Sequence, residues 1–141
     1  MMTIEYATTE YEQDVFVFDK THLTQAQFAK AIADKRICIA RQDDIVFGYA
    51  RFSFFWDSIP FLNMLYVPSG YTRMGVGSGL LSFWEQEMKN QGHKSVLTSA
   101  MATEKGQHFF RKYGYIDCGN LYIEGEGLEL ILSKRLQSSI K

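Results

Sequence analysis

Three glycines at alternate positions, Gly75, Gly77 and Gly79, separate an apolar run from an amphipathic one. Val67 to Leu81 reads as strand end, glycine-rich turn and helix start. Glycine lets main-chain amides approach a ligand with no side chain in the way. The first turn of a helix adds N–H groups without intrahelical acceptors and the positive end of the dipole. Together these features can cradle a diphosphate. A plain flexible turn explains the same glycines, so the spacing alone leaves the two readings level. Two other phosphate loops do not fit. Leu80-Leu81 stands where a Walker-type loop needs Lys followed by Ser or Thr. A dinucleotide fingerprint calls for an acid on the second strand, and Ser95-Val96-Leu97-Thr98-Ser99 has none.

The elements around the turn must hold it. Thr3 to Ala7 reads as a first strand, and Glu10 to Lys20 is ambiguous. Thr24 to Asp34 reads as a helix opened by the capping box Thr24-Gln25-Ala26-Gln27, with Leu23 and Phe28 as a hydrophobic staple. Arg36 to Arg41, Ile45 to Phe55 and Phe61 to Val67 are strand-like. The breaks between them, Asp43-Asp44 and Asp57-Ser58, predict an antiparallel meander. After the glycine turn, Val76, Leu80, Trp84 and Met88 recur every four residues along one helix face, and Gly92 ends it. Lys94 to Ala100 is a strand, Thr103 to Tyr113 a helix, and Tyr115 to Ile123 and Leu128 to Ser133 the last strands. Strand, helix and strand in succession require a parallel crossover. The order is therefore mixed α/β (α+β).

Tyr66 through Leu81 resembles the acetyl-CoA-binding loop of the GNAT superfamily of N-acetyltransferases. A second segment, Gly106-Gln107-His108-Phe109-Phe110-Arg111-Lys112-Tyr113-Gly114-Tyr115, resembles the family helix beside the pantetheine arm. The resemblance covers almost the whole chain. It implies the GNAT fold, with a mixed central sheet of about six to seven strands flanked by about four helices, in one domain over residues 1–141. It implies an acyltransferase that moves an acetyl group from acetyl-CoA, as cosubstrate, to an amine, with no metal.

Roles follow from the resemblance residue by residue. The amides of Gly75, Gly77, Ser78 and Gly79, with Val76 between them, face the pyrophosphate. The backbone of Leu65, Tyr66 and Val67 pairs with the pantetheine like an added strand, and one of those N–H groups polarises the thioester carbonyl. Thr72 stands where the family usually has Arg or Gln, and Arg73 follows one residue later as a source of charge for phosphate. Asn63 and Ser99 lie on the two strands that flank the thioester, to bind the acceptor or hold a water. Thr103 matches a cofactor-touching asparagine, though a helix N-cap explains it as well. Phe110 occupies the position of the tyrosine thought to protonate the leaving thiolate. Phenylalanine cannot do so, but a thiol of pKa about 8.5 can leave unaided. Tyr113, one turn later, reads as core.

No general base is identifiable. His22, His108, Asp57, Asp117 and Glu124 have the chemistry, but each reads as solvated or structural. The aromatic set Phe52, Phe54, Phe55, Trp56 and Phe61 reads as core, with a homodimer surface as a second use. A net charge of −1 argues against an electrostatic nucleic-acid or anionic-membrane binder. Met1 to Glu5 lacks the pattern of a signal peptide and no window suggests a membrane span, so a cytoplasmic location is expected. Cys38 and Cys118 sit in separate strand-like runs and are expected to be reduced and structural. Three functions compete: direct transfer to the primary amine of a small molecule or peptide; a non-catalytic acyl-CoA-binding module, for which Phe110 is the best support; and a structural or partner-binding domain with a degenerate loop, against which the presence of Gly75, Gly77 and Gly79 argues.

Overall fold

The computed structural model describes residues 2–72 and 74–137. Its second helix starts as its sequence dictates. The Thr24 hydroxyl accepts from the Gln27 amide at 3.2 Å, and the Gln27 side chain accepts from the Thr24 amide at 2.9 Å. Leu23 and Phe28 join the same core cluster, completing the staple. The described residues form seven strands and four α-helices. These are β1 Thr3–Tyr6, α1 Glu12–Asp19, α2 Gln25–Ala33, β2 Ile37–Gln42, β3 Ile45–Phe55, β4 Ile59–Tyr66, α3 Val76–Asn90, β5 Ser95–Met101, α4 Gly106–Lys112, β6 Ile116–Ile123 and β7 Gly127–Arg135.

The sheet order is β1-β2-β3-β4-β5-β7-β6. β1, β2 and β3 pair antiparallel, β4 pairs β5 in parallel, and β7 pairs antiparallel with both β5 and β6. This is the mixed sheet with about four helices that the sequence implies. Contacts group the chain into two compact units, Met1–Ser53 with Met64–Glu87, and Phe54–Asn63 with Met88–Lys141.

In the first unit, strand alternation divides the core between two faces. Ile37, Ile39 and Tyr49 point toward Val15 of α1 and Phe28, Ala31 and Ile32 of α2. Gly48 and Phe52 point the other way, toward Val76, Leu80 and Trp84 of α3. With apolar partners on both faces, the middles of β2 and β3 are continuously buried rather than alternating. The ambiguous segment 10–20 is thus α1, fixed by fully buried Val15 and by Phe16 and Phe18 beside the same cluster.

In the second unit, the turn between β3 and β4 is centred on Trp56 and Asp57, both at positive φ, one residue earlier than Asp57-Ser58. Ser58 N–H closes it on the Phe55 carbonyl at 3.2 Å. Core packing is therefore wrong for two members of the aromatic set. Phe55 and Trp56, at the hairpin tip, are 42% and 78% exposed, while Phe52 is buried. α4 is shorter than Thr103 to Tyr113. The Gln107 side chain bonds the carbonyls of Ala102 and Glu104, at 2.8 and 2.9 Å, which holds residues 102–105 as a turn. Lys105, not Thr103, precedes the helix, so the N-cap reading of Thr103 fails. Both cysteines are free, Cys38 buried and Cys118 exposed, so only Cys38 fits a structural role in the core.

Candidate active site

The first unit carries the glycine turn. The chain leaves β4 at Tyr66, makes a short 3-10 turn over Ser69–Tyr71, and enters α3 at Val76. Tyr71 stacks on Phe47 of β3, 5.0 Å between ring centres, which pins that turn to the sheet. Gly75 has φ +75, a left-handed conformation that a branched side chain resists. The Gly79 amide donates to the Gly75 carbonyl at 3.0 Å. The amides of Val76, Gly77 and Ser78 precede it and have no acceptor within the helix. Of the amides expected at the cradle, that of Gly79 is thus engaged by the Gly75 carbonyl. The Ser78 hydroxyl donates to the Gly75 carbonyl at 3.2 Å, and the Thr72 hydroxyl to the Ser69 carbonyl at 3.3 Å, so both side chains brace the turn. Arg73 lies outside the described residues.

Close approach of backbone sets where α3 begins. A Cβ at Gly48 would lie 2.7 Å from Val76 Cγ1 and 3.3 Å from the Tyr66 carbonyl oxygen. The absence of a side chain at Gly48 thus lets the first residue of α3 and the last of β4 meet over β3. Gly79 has a related use, since a Cβ there would stand 2.8 Å from Ile4 Cδ1 of β1. Val76 itself is buried, its side chain packed beneath the start of the helix.

Leu65, Tyr66 and Val67 form the end of β4 and the residue after it. The parallel pairs of β4 with β5 fall at Phe61–Leu97 and Leu62–Thr98, earlier in the strand. The Tyr66 ring packs on Phe18 of α1 and Tyr49 of β3, at 5.1 and 6.1 Å. α1 is in turn tied to β3 by Asp19. This fully buried carboxylate accepts from Arg51 Nε at 2.6 Å and Nη2 at 3.3 Å, and lies 3.1 Å from His22 Nδ1. Burial, followed by the negative charge of Asp19, raises the pKa of the neighbouring Tyr49 hydroxyl and keeps it protonated. Sequence reasoning missed the Asp19–Arg51 pair. The available signal was an arginine in the middle of the aromatic strand Ile45 to Phe55.

The second unit holds Asn63, Ser99, Thr103 and Phe110. Asn63 and Thr103 are exposed. Phe110 is 7% exposed, packed edge-on against Tyr115 and Phe109. Tyr113 is half-buried against Phe109, 5.0 Å away. On β5, Thr98 is buried and donates to the Leu62 carbonyl at 3.0 Å, while Ser99 faces the opposite way. The Ser99 hydroxyl donates to Glu129 Oε2 of β7 at 2.8 Å. Sequence reasoning did not single out Glu129, although it is the one acid within the apolar run Leu128 to Leu132.

The candidate bases have other partners or positions. His22 sits on Asp19, and Asp117 is held by Arg111 through two 2.9 Å bonds. That guanidinium lowers the Asp117 pKa, which makes it a poorer base. Asp57, His108 and Glu124 are exposed, in a turn, on α4 and in the β6–β7 turn. Among the described residues no group of three or more His, Cys, Asp or Glu could hold a metal ion. None of the described helices is long and apolar enough to cross a membrane.

Comparison with known proteins adds the following. The model of the Acetyltransferase (GNAT) family matches residues 4–115. No curated protein sequence matches. Among solved structures, Ard1 from Thermoplasma volcanium is similar with a TM-score of 0.84 at 19% identity, over 97% of this chain and 99% of that one. The ribosomal-protein-S18-alanine N-acetyltransferase from Escherichia coli gives 0.78 at 16%, over 99% and 96%. The PaiA N-acetyltransferase from Thermoplasma acidophilum, in complex with coenzyme A, gives 0.73 at 16%, over 96% and 99%.

Proposed function

Because the chain belongs to the GNAT acetyltransferase family, we propose that it moves the acetyl group of acetyl-CoA directly to a primary amine, with residues 1–141 acting as one catalytic domain. The observation that carries the reading is the start of α3. Gly75 turns at φ +75 and the Val76, Gly77 and Ser78 amides follow with no acceptor in the helix. Such a group fits a pyrophosphate, whose charge also meets the positive end of a fifteen-residue helix. The coenzyme A complex of the PaiA enzyme supports the same cosubstrate. Acetyl-CoA supplies an activated acyl group on sulfur.

The residues of this chain do the rest. The backbone of Leu65, Tyr66 and Val67 aligns the pantetheine arm, and the Val67 N–H donates to the thioester oxygen as negative charge develops there. Asn63 and Ser99 line the acceptor side, and Thr103 and Phe110 lie beside the arm. Phe110 gives no proton, so the thiolate departs as the anion and takes a proton from the amine or from water. Cys38 and Cys118 have no part, because no acyl-enzyme forms. The acceptor is a small molecule or a peptide, and the protein works in the cytoplasm.

The second reading, a binding module without turnover, is favoured by one observation: the residue at the tyrosine position is a phenylalanine packed on Tyr115. A thiol-release assay with acetyl-CoA and a panel of peptides, polyamines and amino acids separates the two. The transferase reading expects release that depends on added amine. Protection against melting by acetyl-CoA, without release for any amine, selects the module instead.

A further inference from the structure

We propose that Glu129 receives the acceptor amine, binding it as the ammonium ion and taking its first proton, with Ser99 as the residue that positions the carboxylate. The inference rests on the transferase reading and adds to it the group that had no candidate.

The geometry of the second unit singles out this carboxylate. β5 and β7 pair with Ser99 opposite Ile131 and Met101 opposite Glu129. Alternation places Ser99, Met101, Glu129 and Ile131 on one face of these strands. On the other face, Thr98 and Leu132 are buried and Ala100 lies 4.0 Å from where a Cβ of Gly106 in α4 would stand. The face of Glu129 is half-buried along its length. A carboxylate among Met101 and Ile131 loses part of its hydration, and one hydroxyl bond from Ser99 does not neutralise it. Among the described residues no lysine, arginine or histidine is within ion-pair distance of it, whereas buried Asp19 has Arg51. A partly desolvated carboxylate with one oriented oxygen and no cation is a receptor for a cation. The cation a transferase must handle is the protonated acceptor.

The proton balance is complete. An ammonium ion gives one proton to Glu129, which passes it to water. The freed nitrogen attacks the carbonyl carbon, the C–N bond forms, and the C–S bond breaks. The second nitrogen proton ends on the departing thiolate, giving amide and free thiol. Along the three paired strands no other charged group stands beside it. β5 carries no charged residue, Lys134 and Arg135 stand at the far end of β7, and the β6 residue paired with Glu129 is Leu121.

The test compares the parent, Glu129→Gln and Glu129→Asp with two amines, trialanine and spermidine, measuring thiol release from pH 6 to about 9.5, with CoA affinity followed by calorimetry. At pH 7, Glu129→Gln is expected to lower kcat/KM for the amine by about 100-fold while leaving CoA affinity unchanged. The deficit should shrink toward high pH, where free amine no longer needs a proton acceptor, and Glu129→Asp should recover part of it. A merely structural role would not give a loss that pH repairs. An active parent whose Gln variant stays within about twofold at every pH, with CoA affinity intact, overturns the proposal. A parent that binds CoA and releases no thiol with these two amines or with any other of the panel overturns the transferase reading itself, and that outcome is distinct from the first.

Discussion

The start of α3 and the half-buried face of β5 and β7 are proposed to bind by different means. The first presents main chain. Its side chains either pack, as Val76 does, or brace the turn, as Ser78 and Thr72 do. The second presents side chains, a serine and a glutamate joined at 2.8 Å on paired strands. A main-chain site needs backbone to come close and a conformation that few residues allow, so glycine is its signature. A side-chain site needs only the right face of a strand. The first is therefore restricted by backbone conformation at Gly75, while the second tolerates many changes except at the two groups proposed to act.

Substitutions can break or sharpen this contrast. The largest effect on CoA affinity is expected at Gly75. Valine at φ +75 meets a steric cost of about 2 kcal/mol, and CoA affinity should fall about thirtyfold as the turn reshapes. Calorimetry that shows unchanged affinity in a folded Gly75→Val protein would remove the cradle from α3. A smaller effect is expected from Gly48→Ala. Its Cβ would press Val76 Cγ1 from 2.7 Å and the Tyr66 carbonyl from 3.3 Å, costing about 1–2 kcal/mol of stability and a few-fold in CoA affinity. Gly119→Ala on β6 is the matched control. A Cβ there meets nothing within 4 Å, so urea unfolding should stay within about 0.5 kcal/mol of the parent. Equal costs at Gly48 and Gly119 would refute the close approach. The smallest effect on function is expected at the cysteines. Burial, followed by the charge of Glu87, pushes Cys38 up to about 12, leaving almost no thiolate at pH 8. An aromatic disulfide reagent at that pH should label exposed Cys118 alone, with turnover near the parent rate. Rapid labelling of two thiols in the folded protein would contradict the packing of β2.

How much of this was legible in the sequence follows the same contrast. The glycine turn was visible because main-chain binding restricts residue type at fixed spacing, and the capping box because it is local. The mixed strand order was visible because strand, helix and strand force a crossover. The contact of Ser99 with Glu129 was not, because the two are brought together by a β5–β7 pairing that no local signal encodes. Asp19 with Arg51 escaped for the same reason, since its partners lie on α1 and β3. The extent of α4 was misjudged because the Gln107 side chain, rather than any cap at Thr103, organises the turn before it. The exposure of Phe55 and Trp56 was misjudged because composition reports how many aromatics a chain has, and not which fall at a hairpin tip.

The position of β7 has a consequence for how the chain reaches this state. β7 follows β6 in the chain yet lies between β5 and β6 in the sheet. Among the described strands β6 pairs with β7 alone, so it has no strand to dock on until β7 is made. The two can meet early, because Glu126 N–H closes their turn on the Ile123 carbonyl at 2.8 Å and Gly125 and Gly127 supply its positive φ angles. A nascent chain that has emerged only through β6 therefore leaves the edge of β5 unpaired, with Ser95 to Met101 open to other strands. Closing that edge is a long-range step performed by the hairpin as a unit. The same event that seals the sheet against misassociation brings Glu129 to Ser99, so protection from aggregation and assembly of the proposed acceptor side arrive together during synthesis.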